Sequence, residues 1–234
     1  MKSKTKSKNK EGDILAIKAR DQYRTVDELV KKSQPNSVYY TLLVVSSLII
    51  AFGLLLENSS VVIGGMLVTP VLTPVLYIAL GVATGEVNLI RQVSLLLFKS
   101  FAIVFASGFI AASLFEAPEN LTFFNNDITV PALYFGVALL SGVAATFAWS
   151  RKDVIDILPG VAIAVALVPP LSLSGIGLSL LNPAFIRLNF LIFLFNLFGV
   201  VMGSLVVFSL LGFYKTKSKV HMEAQKVDKD NKKA

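Results

Sequence analysis

Two proline clusters interrupt otherwise apolar stretches. One holds Thr69, Pro70, Thr73 and Pro74; the other holds Pro169 and Pro170, followed by Ser172 and Ser174. A proline inside a helix removes a backbone donor and clashes with the preceding turn. In a hydrocarbon layer the carbonyls released in this way have no water to turn to. The hydroxyls of Thr69, Thr73, Ser172 and Ser174, trapped water or a bound solute must then satisfy them, unless the prolines are packed kinks with no ligand. Thr-Pro also reads as an N-cap followed by the first helical residue. The pattern therefore predicts a half-helix from Pro74 whose positive dipole end points inward.

Ionisable residues within apolar stretches are the other candidates, because burying them is costly. Lys99 either snorkels to a headgroup layer or faces the helices and adds positive charge beside the breaks. Glu57, with Asn58, Ser59 and Ser60, marks a hydrated cap or a gate. Asn196 needs a partner at its depth, from a neighbouring helix or from a solute. His221 is the only histidine and lies in a polar tail, so it builds neither a metal site nor a triad by itself. With no cysteine there are no thiolate metal sites or disulfides. No zinc-protease, nucleophile-elbow or nucleotide-loop motif is present. The expectation is a non-enzymatic protein without a cofactor or metal.

The elements that would hold these residues follow from composition. Of 234 residues 54% are hydrophobic and only 16% charged, and the mean hydropathy is +0.69, values that point to a bilayer rather than a soluble domain. Of 22 Lys and Arg, ten precede Val38 and seven follow Phe213. The net charge of +7 thus belongs to the tails, which flank apolar stretches and argue against nucleic acid as a partner. Six stretches are long enough to span: Val38–Leu56, Ser59–Thr84, Val93–Phe115, Ile128–Trp149, Val154–Leu180 and Phe185–Phe213. Arg91, Lys99, Arg151 and Lys152 fall on the same side as both tails, and only Arg187 falls on the other. The positive-inside rule then makes both termini cytoplasmic. Residues 1–37 read as a basic N-terminal segment, disordered at first and then a short basic helix, either interfacial or solvated without membrane contact. Residues 38–213 read as the transmembrane domain, and 214–234 as a basic disordered tail.

Spans two and five share a pattern. Ile63, Leu67, Val68 and Pro70 recur as Ile163, Leu167, Val168 and Pro170, at an offset of 100 residues. Each broken span is the middle member of a set of three, and an odd number turns the second set upside down. The expected fold is an all-α membrane protein of six transmembrane helices. They form two inverted three-helix repeats, about 38–115 and 128–213, with broken second and fifth helices and a midplane site between them.

The run from Leu54 to Pro74 (LLLENSSVVIGGMLVTPVLTP), then Leu80 to Gly85 (LGVATG), Leu158 to Leu171 (LPGVAIAVALVPPL) and Gly175 to Leu178 (GIGL) closely resembles the domain of unknown function 389 family. The likeness runs from about Val38 to Phe213 and departs at Gly65, Thr69 and Thr73. It implies a multi-pass protein of a prokaryotic plasma membrane and assigns no activity or ligand. From the residues themselves the leading expectation is a transporter for a small polar or anionic solute. Its site would use Thr69, Pro70, Thr73, Pro74, Lys99, Pro169, Pro170, Ser172, Ser174 and Asn196. The alternative is a scaffold or regulatory protein that binds lipid or a partner. Pairs such as Ala138 with Gly142 and Gly199 with Gly203 let helices approach closely, within one chain or across a homo-oligomer.

Overall fold

A computed structural model describes residues 17–115, 129–151 and 167–231, and all regular structure among them is helical. In chain order the helices are α1 (Ala19–Lys32), α2 (Ser37–Leu55), α3 (Ser59–Val68), α4 (Leu72–Thr84), α5 (Val87–Leu114) and α6 (Thr129–Ser150). They continue with α7 (Val168–Ser179), α8 (Pro183–Leu210), a 3-10 turn at Phe213–Thr216, and α9 (Lys217–Asn231).

Among the described residues four helices are long and apolar enough to cross a bilayer: α2, α5, α6 and α8. Helices α3 and α4, bent by 55° at their break, add a fifth if the pair counts as one span. This corrects the six-helix expectation. The second expected span is split into helices of 10 and 13 residues, which rise only about 15 and 20 Å against a hydrocarbon core of about 30 Å. Of the fifth expected span only α7, with 12 residues, is described. Residues 152–166, and with them Ile163 of the 100-residue offset, lie outside the described residues. Among the described residues the four or five crossings do not make two sets of three, and the described helices show no inverted repeat.

Three helix connections use one device. After α2, α4 and α7 the chain turns through a left-handed residue, Glu57 (φ 51°), Gly85 (φ 71°) or Leu181 (φ 51°). The next N–H then donates to a glycine carbonyl: Asn58 to Gly53 at 2.9 Å, Glu86 to Gly81 at 2.9 Å, and Asn182 to Gly177 at 3.0 Å. These bonds satisfy carbonyls that a helix end would leave orphaned. Asn58 and Asn182 go on to cap α3 and α8 through their side chains. Glu57 is thus an exposed turn residue, and the cap beside it is Asn58.

Helix pairs are drawn together by glycines. A Cβ at Gly203 would collide with the Leu139 carbonyl and one at Gly142 with the Val200 carbonyl, so α6 and α8 touch backbone to backbone. Gly108 and Gly175 do the same for α5 and α7, against Ser172 and Phe105. Ala138, Gly142, Gly199 and Gly203 therefore act within one chain. Helix α2 lies along α5 through two buried pairs, Tyr39 Oη with Ser100 Oγ and Ser47 Oγ with Ser107 Oγ, each at 2.8 Å.

Helix α1 crosses one end of the bundle, called here the basic end. Its apolar stripe of Val26, Leu29 and Val30 is buried against protein. Its polar residues close two open helix ends: Gln22 Nε2 donates to Leu211 O at 2.8 Å and Thr25 Oγ1 to Trp149 O at 3.2 Å. Composition assigns 214–234 to a disordered tail, whereas Lys217–Asn231 is helical. Its contacts explain the difference. Lys219 Nζ bridges to Asp27 Oδ2 at 2.7 Å, Val220 is fully buried, and His221 reaches Glu86.

Candidate functional site

The break between α3 and α4 is short and internally satisfied. Thr69 leaves the helix with extended backbone (φ −68°, ψ 125°), as expected of a residue before proline. Its hydroxyl donates back to Gly65 O at 3.1 Å, and its N–H to Met66 O at 3.3 Å. Helix α4 then starts at Leu72, with Thr73 and the buried Pro74 in its first turn. Pro70 and Thr73 are only half-buried. They line an open groove of about 680 Å³ together with Glu28, Lys31 and Lys32 of α1 and the start of α2. The break thus lies level with Val38, Tyr39 and Leu42, the first turns of α2, and not halfway along it.

The groove is positively biased. Glu28 is engaged by Arg24 Nε at 3.5 Å, and the ammonium of Lys32 lies 4.7 Å from the centre of the Trp149 ring, a cation–π contact that fixes it beside the groove. The first amides of α4 add the positive end of a helix dipole.

Lys99 does not reach the groove. It borders a second, smaller cavity of about 340 Å³ on the other side of the α1–α2 link, with Ser33, Tyr40, Tyr77 and Gln92; only Gln34 borders both.

The second proline cluster is in different surroundings. Pro169 is half-buried and Pro170 buried in the first turn of α7. Ser174 Oγ donates to Pro170 O at 3.0 Å. Ser172 is fully buried where α7 meets Gly108, and Asn196 is buried within α8. None of these five residues borders the groove or the Lys99 cavity. The structure brings Pro70 and Thr73 together, keeps Thr69 and Pro74 beside them in the backbone, and separates the rest.

Lys31, Lys32, Tyr77 and Gln92 are absent from the sequence-derived site, because periodicity cannot tell that α1 folds over the end of the bundle. The same holds for His221. Its Nδ1 lies 3.1 Å from Oε2 of Glu86, a carboxylate whose side chain is 8% exposed, and its Nε2 accepts from Gln225 Nε2 at 2.8 Å. A carboxylate can only accept, so the ring proton sits on Nδ1.

The chain is 23% identical over 192 residues to an uncharacterized protein, MJ0678, of Methanocaldococcus jannaschii, covering 81% of this chain. It spans 58% of the length of that relative. No solved structure matches. Residues 66–202, more than half of the chain, match the family described as domain of unknown function (DUF389). That match takes in the α3–α4 break, Lys99, the Pro169–Pro170 cluster and most of α8, and by it the chain belongs to the DUF389 family.

Proposed function

We propose that this hydrophobic multi-helix protein is a non-enzymatic membrane carrier for a small anionic solute, which enters through the basic groove and meets the broken helix at Pro70 and Thr73. The observation that carries the reading is that these two residues line the same open groove as Lys31 and Lys32. A solute there would meet the ammonium groups of Lys31 and Lys32 first, then the Thr73 hydroxyl and the amides that open α4. A helix break beside a cavity also tolerates small rearrangement, because its hydrogen bonds are local ones made by Thr69 and not part of a continuous ladder. The membrane is the plasma membrane of a prokaryote, with the groove and both tails, which meet at the basic end through Lys219 and Asp27, on the cytoplasmic side, in keeping with the Lys and Arg of the tails.

The test is stabilisation of the purified full chain against heat, screened across inorganic anions, carboxylates, amino acids and nucleosides. At least one anion should stabilise it, and Thr73→Val and Lys31→Gln should each weaken that effect, by about two- to tenfold in affinity. Uptake of the same anion into proteoliposomes should fall in parallel. If no solute stabilises the protein, or both variants respond as the parent does, the groove is not a solute site.

A scaffold or regulatory role is the second reading, favoured by the way α9 is tied to α1 and to the α4–α5 turn through Lys219–Asp27 and His221–Glu86. Partner-dependent release of α9, with no solute response, would select it.

A further inference from the structure

The Lys99 cavity has a chemistry different from that of the groove. Its wall carries one cation, the Lys99 ammonium, which has no ion-pair partner among the described residues. Around it stand neutral hydrogen-bonding side chains: Ser33, Gln34, Tyr40, Tyr77 and Gln92. Ser33 is 6% exposed and its hydroxyl is buried without a hydrogen-bond partner, a state that costs free energy unless something fills the site. The rim is apolar on the α5 side. Leu95, which lines the cavity, is 58% exposed, and Phe98 beside Lys99 is 72% exposed. In a membrane protein such residues meet acyl chains. The neighbour of Lys99, Ser100, pairs with Tyr39 in the first turn of α2. That places the ammonium where a 19-residue span leaves the hydrocarbon, the level of lipid phosphates.

A cation, several neutral donors and a bare apolar flank at that level match one class of molecule. We infer that the Lys99 cavity binds the headgroup of an anionic phospholipid: the phosphodiester lies against Lys99, polar headgroup atoms are held by Ser33, Gln34, Gln92 and the two tyrosines, and the acyl chains run along Leu95 and Phe98. The site is separate from the anion groove and does not depend on it, since Lys31, Lys32, Pro70 and Thr73 take no part. A lipid here would wedge α1, α2, α4 and α5 together at their common corner.

The full chain in neutral detergent is titrated with phosphatidylglycerol, phosphatidylcholine or inorganic phosphate, and bound molecules are counted by native mass spectrometry. The expected result is a single tightly retained phosphatidylglycerol, with phosphatidylcholine held much more weakly and inorganic phosphate unable to displace it. Lys99→Gln should lower phosphatidylglycerol affinity about tenfold, and Lys99→Arg should largely restore it. Arg91→Gln, on the same helix but outside the cavity, should change it by less than about twofold, as expected of a screened surface charge. Lys99 is exposed, so these variants fold. Equal losses in the Lys99 and Arg91 variants would show diffuse attraction and overturn the site. Displacement of the lipid by inorganic phosphate would overturn the lipid assignment in favour of a free phosphate, and equal retention of phosphatidylcholine would overturn the role of charge.

Discussion

The two proline clusters look alike in sequence and differ in surroundings. At Thr69–Pro70 the chain breaks between two helices bent by 55°, and the break borders a basic groove. At Pro169–Pro170 the prolines fall in the first turn of a helix, where their missing N–H groups have no intrahelical acceptor to lose. That helix is then pressed against α5 by Gly108 and Gly175. Among the described residues the neighbours therefore differ: lysines and an α1 that arches over border a cavity at the first cluster, whereas after the second cluster Gly108 and Gly175 bring the backbones of α5 and α7 into contact.

The glycines are the sharpest way to break this contrast. Gly175→Ala places a methyl group into the Phe105 carbonyl, backbone against backbone with no flexible side chain to yield. Heat unfolding in detergent should register a loss of about 1–3 kcal/mol or more, with reduced yield of folded protein. Gly64, in the middle of α3, meets nothing within 4 Å. Gly64→Ala should be neutral, or stabilising by up to about 1 kcal/mol through helix propensity. Equal destabilisation by both would mean that the α3 side is as tightly packed as the α7 side.

The proline substitutions come next. Pro70→Ala lets α3 and α4 straighten, which should narrow the groove and weaken anion-dependent stabilisation while the protein still folds. Pro170→Ala changes a buried first-turn residue already helical in conformation. Its expected effect is a loss of about 0.4–1 kcal/mol, chiefly from added freedom of the unfolded chain, with the anion response unaltered. An anion response lost at Pro170 and kept at Pro70 would reverse the assignment of open and closed breaks.

How far these features could be read from the sequence depends on their range. The helical, hydrophobic character and the break at Thr69–Pro70 are local and are legible, because hydropathy and proline act within a few residues. The family is legible from the LPGVAIAVALVPPL run for the same reason. The span count was not, because a stretch such as Ser59–Thr84 has the composition of one crossing whether or not its two halves are collinear. The site was legible only in part. Pro70 and Thr73 announce themselves, but Lys31 and Lys32 join them through the turn at Ser33–Asn36, which folds α1 back across the bundle. Ser172 and Asn196 are polar residues in apolar helices, and spacing alone cannot separate a residue that lines a cavity from one packed against a neighbouring backbone.

The smallest expected effect is at Ser172, and its sign carries the information. The hydroxyl is fully buried and makes no hydrogen bond within the described structure. Its helix partner at that point is Gly108, whose missing side chain leaves room only for the Ser172 backbone and Oγ. Removing an unsatisfied buried hydroxyl takes away a desolvation penalty and leaves a methyl group that still fills most of the space, so Ser172→Ala should be neutral or slightly stabilising. Thr69→Val is the matched opposite. It removes a hydroxyl that donates to Gly65 O at 3.1 Å, so it should cost about 0.5–1.5 kcal/mol by heat unfolding. Should Ser172→Ala instead destabilise by as much as Thr69→Val, with anion stabilisation falling too, the Ser172 hydroxyl must hold a solute or water, and the second cluster would be a site after all.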